Sequence, residues 1–395
     1  MSKAKLSTLA IPVIGIMTAN AALSLDMYLP AFPAIASDFG VGEADVQITM
    51  SSFLAGFAIG QIFYGPLSDR FGRRPVILAG LLLYGIVSGL CAVSSDIFDL
   101  VTLRALQGLV GASGAVLGRA IIRDVYDGPN LAKAMSLLML VLTAGPMMAP
   151  LLGSVVLDLW GWRSIFWALS LYAILWSFLI LLMIPETLPP TRRTSLHPAA
   201  IFRAFKEVLG HKQAMGYTLT VAIGFAGMFA YITATPFIYM NLYGITPQEY
   251  AIFFAVNVGG MALSSFINGR LIGKVSSDTL LLIFTAFLIV SSIALLAAVL
   301  TNTWGLWGLV IPLFFYIGSL SAIAANGISG ALQFFGHSAG TASSVFGICQ
   351  FGFGSLAGWI LSLLNNGTAM PLVWIIICCA ILSSLTFHFM AKTRA

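Results

Sequence analysis

Two ionisable residues lie where an apolar chain should not tolerate them. Asp26 sits in "ALSLDMYLPAFPA" (Ala22 to Ala34), near the end of an apolar run that reaches back to about Leu6. Arg104 sits in "LRALQGLVGAS" (Leu103 to Ser113), inside another. On insertion scales each charge costs about 2.5–3.5 kcal/mol at the centre of a membrane helix. An acid kept at that cost is a functional candidate by default. Burial disfavours the charged form of a carboxyl, so such a group can load and release a proton near neutral pH. An arginine that pairs with it in one conformation, directly or through a water, would switch that proton on and off. Two plainer readings stay open. Asp26 can be an interfacial residue that ends a helix before Tyr28 and Pro30, and Arg104 can snorkel to headgroups or to Asp99.

The elements that hold these residues must cross a bilayer. Of 395 residues, 59% are hydrophobic and 8% are charged, against about 25% charged in a soluble domain. The apolar runs approach the length of a membrane helix and lack the short alternating pattern of a barrel strand. Twelve spans are expected near 8–29, 46–65, 75–94, 98–122, 131–156, 164–184, 214–240, 250–269, 279–300, 304–326, 339–364 and 370–391. The first resembles a secretory signal, but "LDMYLP" continues it and it reads as an uncleaved helix. With the N-terminus inside, Arg163 is the one cation left in an outer loop, so both termini are expected in the cytoplasm. The net charge of +5 is then a topology signal and implies no nucleic-acid partner. Cys91, Cys349, Cys378 and Cys379 all fall inside apolar runs.

The longest polar connection, Pro185 to Gln213, divides the chain into six spans and six spans. The expected organisation is a bundle over 1–184, a cytoplasmic linker over 185–213 and a second bundle over 214–395. Within the linker, Ile201, Phe202, Phe205, Val208 and Leu209 follow helical spacing, which suits a short helix on the inner leaflet. Inner loops after spans two and eight read "DRFGRR" and "RLIGKV", a weak internal repeat of the kind found in two-fold transporters. Glycines in the spans, among them Gly56, Gly60, Gly108, Gly259 and Gly352, would let helices approach closely.

Four stretches carry a family resemblance. "GPLSDRFGRRP" (Gly65 to Pro75) resembles the loop signature of the major facilitator superfamily. "LRALQGLVGAS" is similar to its proton-antiporter motif. "AGPMMAPLLGS" (Ala144 to Ser154) is similar to its glycine-proline motif, with Met147, Met148, Ala149 and Pro150 where glycines are usual. "LDMYLPAFPAI" resembles the start of the Bcr/CflA drug-resistance branch. The resemblance implies an all-α integral membrane fold, with twelve transmembrane helices in two pseudo-symmetric six-helix bundles. It also implies a proton-coupled exporter of small amphipathic drugs (bicyclomycin, phenicols and sulfonamides among the family's substrates) in the bacterial inner membrane. Asp26 and Arg104 would couple the proton. Asp69, Arg73 and Asp124 would gate the inner side, Asp69 facing the start of span eleven near Gly340 and Arg73 pairing with Asp124.

A drug site is expected at mid-membrane. Asn20, Phe53, Met228, Tyr231, Phe237, Asn257, Asn326, Gln350 and Phe351 are its candidate liners, because aromatics and methionine give adaptable apolar contact. A phosphate loop, a zinc-protease motif and a nucleophile elbow are all missing from the sequence. No enzyme, metal or cofactor is therefore expected beyond the proton itself, and the protein is expected to act as a monomer. The alternative on the same scaffold is a proton-coupled exporter of a small metabolite such as an amino acid.

Overall fold

The computed structural model describes residues 10–126, 128–193, 198–302, 304–335 and 339–391. Among these, the chain is mostly helical, joined by short connections, with a single isolated bridge between Ile272 and Val275. Helices α1 (Ala10–Thr18), α2 (Asn20–Asp26) and α3 (Phe32–Phe39) share the first span. They are followed by α4 (Glu43–Phe71), α5 (Arg73–Ala92), α6 (Ile97–Val125), α7 (Gly128–Trp160) and α8 (Arg163–Met183). Then come the short α9 (Pro198–Gly210) and α10 (Lys212–Phe237), α11 (Pro247–Leu271), α12 (Ser277–Thr301), α13 (Trp307–Leu332), α14 (Ala339–Leu364) and α15 (Met370–Thr386). Among the described residues, eleven segments are long and apolar enough to cross a membrane, and Ala144–Trp160 of α7 is a shorter apolar helix beside them. Large apolar side chains such as Leu171, Phe178 and Leu182 on α8 stay exposed, as a lipid-facing surface requires.

The first span differs from expectation. It runs from Ile11 to Phe39, not to about residue 29. The chain breaks after Asp26, makes a 3-10 turn over Leu29–Ala31 and resumes as α3. Pro30 and Pro33 lack the N–H that an unbroken helix needs, but Leu29, Ala31, Phe32 and Ile35 beside them are apolar and fully buried. Asp26 is thus well inside the span rather than at its edge.

The chain groups into two compact units, Met1–Ala31 with Ser52–Ile201, and Phe32–Ser51 with Phe202–Ala395. In the first unit, α5 packs on α6 and α8, while α1 and α2 pack on α6 and α7. Its apolar core includes Ile14, Met17, Leu81, Leu117 and Leu138. A side chain on Gly108 of α6 would run into the Phe53 carbonyl of α4, so the two helices touch backbone to backbone there. In the second unit α10 is the central helix, buried along nearly its whole length and packed on α13, α14 and α15. Val208 of α9 anchors the linker helix on a cluster with Met215, Phe335 and Val345. Glycine packing is selective. Gly259 and Gly352 face open space, so they do not serve the close approach expected of them.

Candidate functional site

Arg104 is the most completely buried charge in the first unit, at 0% exposure. It does not snorkel. Its guanidinium lies 4.7 Å from the Tyr28 ring centroid, 4.4 Å from that of Phe53 and 5.8 Å from that of Phe166. Its Nη1 donates to Gln107 Oε1 at 2.6 Å, one helical turn along α6. Among the described residues, Nε and Nη2 have no hydrogen-bond partner, and no ion pair joins Arg104 to Asp26. An unsatisfied buried donor costs about 1–3 kcal/mol, and desolvated ring contacts return on the order of 2 kcal/mol. The arginine is held in place, but part of its hydrogen-bonding capacity is unused.

Behind it runs a polar chain through the helices. Gln107 Nε2 donates to Ser88 Oγ at 2.7 Å and to Tyr84 Oη at 3.4 Å. Tyr84 Oη and Ser24 Oγ share a hydrogen bond of 2.5 Å. Ser24 Oγ also lies 2.6 Å from the Asn20 carbonyl, which returns the chain to α2. Asn20 itself is fully buried, and neither atom of its amide has a partner among the described residues. Asp26 is 4% exposed, two residues before Tyr28, at the C-terminal end of α2. Gly153, from the glycine-proline motif, explains how α7 reaches this break. A side chain there would strike the Met27 carbonyl, so only glycine lets α7 lie against the residue after Asp26.

At the other end of the first unit, Arg73 is paired twice. Its Nη1 reaches Asp69 at 2.6 Å and its Nε donates to Asp124 at 2.9 Å. Ser68 Oγ accepts from Nη1 at 2.5 Å. Glu186, not singled out from the sequence, accepts the Arg73 and Leu188 N–H groups at 2.9 Å each and the Arg74 N–H at 3.3 Å. It places an anion at the start of α5, where the helix dipole favours one. The chain turns into α5 at Gly72, with φ 100°.

Besides Asn20, the expected drug-site residues fall into three groups. Phe53 is committed to Arg104. In the second unit, Phe237 packs 5.7 Å from Phe32, and Asn326 donates to Asn268 at 2.7 Å. Tyr231 stacks 5.8 Å from Phe254 and accepts from Asn257 Nδ2 at 3.1 Å, which leaves Asn257 Oδ1 without a partner among the described residues. Met228, Gln350 and Phe351 are half-buried, with Phe351 5.5 Å from Phe229. Tyr28, Phe166, Gln107 and the Ser24–Tyr84–Ser88 chain were not foreseen. Tyr28 and Gln107 carried a signal, as neighbours of Asp26 and Arg104 within the quoted motifs. Ser24 lies in the same stretch as Asp26, whereas Phe166, Tyr84 and Ser88 come from other helices and carried none.

A family model described as Major Facilitator Superfamily matches residues 14–359. A "Bicyclomycin resistance protein homolog" of Haemophilus influenzae is 32% identical over 392 residues, 99% of this chain and 98% of the relative. A "Multidrug resistance protein MdtL" of Salmonella agona is 31% identical over 94% of this chain and 92% of the relative. The crystal structure of a D-xylose-proton symporter superposes with a TM-score of 0.76 at 14% identity, covering 98% of each chain, a likeness of fold alone. With its helical spans, the family match over residues 14–359 and a relative 32% identical over nearly its whole length, the chain belongs to the Major Facilitator Superfamily of multi-pass membrane transporters.

Proposed function

We propose that this transporter exports small amphipathic antibiotics in exchange for protons, by alternating access, from the bacterial inner membrane. The observation that carries the reading is the buried Arg104 with two unused nitrogens, stacked on a tyrosine two residues from the buried Asp26. An ionised Asp26 is the natural partner for those nitrogens, because a carboxylate accepts charge-assisted hydrogen bonds. A protonated Asp26 no longer draws them, and Arg104 rests on its three rings and Gln107. On this reading, an arrangement without an ion pair is the one expected of the proton-loaded state. Movement of Arg104 between the two partners acts on Tyr28 and so on the break between α2 and α3. Drug and proton can then compete through the shape of the first span without touching.

Asn20, Asn257 and the half-buried Met228, Gln350 and Phe351 would supply drug contacts, the first two through amide atoms that have no protein partner. Asp69, Arg73 and Asp124 would work as an inner latch. Protons would be the coupling ion, with no cofactor, both termini would be cytoplasmic, and one chain would suffice. The names of the relatives from Haemophilus and Salmonella support the substrate class.

The test is drug-driven proton movement in proteoliposomes, wild type against Asp26→Asn, with bicyclomycin-like and chloramphenicol-like compounds. Wild type is expected to exchange, and the variant to bind drug without moving protons. Undiminished coupling in Asp26→Asn would overturn the assignment.

A further inference from the structure

In the second unit, one carboxylate carries a charge that no cation balances. Glu43 opens α4, and its Oε1 accepts from Asn241 Nδ2 at 2.8 Å, in the π-helical turn Ile238–Leu242 after α10. Its Oε2 accepts from Asn365 Nδ2 at 3.5 Å, just beyond α14. Both donors are neutral amides, and among the described residues no ion pair includes Glu43. The sequence supplies no candidate nearby. Residues 32–51, 234–254 and 361–372 hold Asp38, Glu43, Asp45 and Glu249 but no lysine or arginine. Glu43 also borders a cavity of about 20 Å³, room for one water-sized group. Phe237, Ile238, Leu361 and Leu372 belong to its apolar wall. The cavity lies within the second unit, whereas Asp26 and Arg104 belong to the first.

Most of the other polar groups around the cavity are engaged. Asn365 Oδ1 accepts the Gly367 N–H at 3.0 Å. Thr368 Oγ1 donates to Asn366 Oδ1 at 2.7 Å and accepts the Met370 N–H at 3.3 Å. Gln47 is the exception. It follows Glu43 by one helical turn, so the two side chains are neighbours on α4. It lines the cavity and is 3% exposed, and among the described residues its Oε1 has no donor. A ligand that suits this place brings positive charge and hydrogens. A primary ammonium does both, with three N–H donors and no acceptor, and each oxygen of Glu43 keeps a lone pair beyond the one its asparagine uses. Such charge-assisted bonds are roughly twice as strong as neutral ones. A quaternary ammonium has no hydrogen for Gln47. A guanidinium, with its three nitrogens in one plane, exceeds a water-sized space. A water satisfies Gln47 but leaves the carboxylate unbalanced.

We propose that this cavity is a binding site for the head of a primary ammonium cation, held between the Glu43 carboxylate and Gln47 Oε1, with its first carbons against the apolar wall. The site goes beyond drug-proton exchange and does not depend on Asp26. A soluble amine and an aminophospholipid headgroup bring the same ammonium.

The experiment follows the melting temperature of the full chain in detergent against rising n-butylammonium, at constant pH and ionic strength. Sodium and tetramethylammonium serve as reference cations. Butylammonium is expected to raise the melting temperature saturably, and the reference cations are not. Glu43→Gln and Gln47→Met keep the side-chain length, and their melting curves without amine report that they fold. Glu43→Gln should raise the half-saturating concentration at least tenfold, and Gln47→Met severalfold. No saturable rise, an equal rise with sodium or tetramethylammonium, or an unchanged response in Glu43→Gln would overturn the site. Asp26→Asn should respond to the amine as the parent does. A response abolished by Asp26→Asn would place the amine at the coupling acid instead and sink the proposal. Coupling itself is read by the exchange assay, so the two proposals can fail independently. Repeating the titration with phosphatidylethanolamine in the micelles separates the sources. Competition assigns the ammonium to a lipid headgroup, and its absence assigns it to a soluble amine.

Discussion

At the scale of single residues, the chemistry turns on how Arg104 is kept. Three rings and one glutamine hold it, and its remaining nitrogens have no partner among the described residues. Ring and hydroxyl of Tyr28 can be separated by substitution. Tyr28→Phe keeps the face over the guanidinium and should retain more of the exchange rate and melting temperature than a variant without a ring. Tyr28→Leu removes that face and should cost about 1–2 kcal/mol, seen as a lower melting temperature in detergent. It should also slow proton-drug exchange more than it weakens drug binding. Arg104→Lys keeps the charge but loses the planar fork that stacks and reaches Gln107. We expect at least a tenfold loss of exchange, with drug binding retained, measured by counterflow and by equilibrium binding. Loss of binding with unaltered coupling in the drug that still binds would mean that Arg104 holds drug rather than proton.

At the scale of elements, a few close contacts decide the geometry, and they can be told apart from glycines that do nothing. A methyl group at Gly153 must displace the Met27 backbone or the helix that bears it, whereas Gly259 has open space around it. Gly153→Ala should therefore lower both thermal stability and exchange, while Gly259→Ala leaves both within error. Comparing the two melting curves and the two transport rates checks this directly. The contrast also marks how far the sequence could be read. Span positions followed from hydropathy, because a lipid-facing helix shows its length in its composition. The reach of the first span did not, since two prolines within four residues look like a helix end and only the resumption of the helix at Phe32 shows otherwise. Gln107 beside Arg104 was within reach as an i, i+3 neighbour on one helix. Phe53 and Phe166 were not, because contacts between helices depend on rotation and depth, which one sequence does not state. Glu186 was hidden for another reason. It acts through backbone N–H groups, which no motif records.

At the scale of the whole molecule, the number of membrane-embedded carboxylates sets what the membrane potential can do. Among the described residues, Asp26 is the one acidic side chain far from both ends of its span. One proton per cycle follows if it alone carries the coupling proton through. Exchange of that proton for a neutral drug moves one net charge, worth roughly 2.3 kcal/mol per 100 mV. That corresponds to about a 50-fold gain in accumulation. Exchange for a monocation moves none. Proteoliposomes with a potential clamped by potassium and valinomycin separate the cases, because the pH gradient can be held at zero. A neutral phenicol should then be driven across the membrane by voltage alone, and a cationic dye of similar size should respond only to a pH gradient. Voltage-driven movement of the cation as well would require a second proton in each cycle.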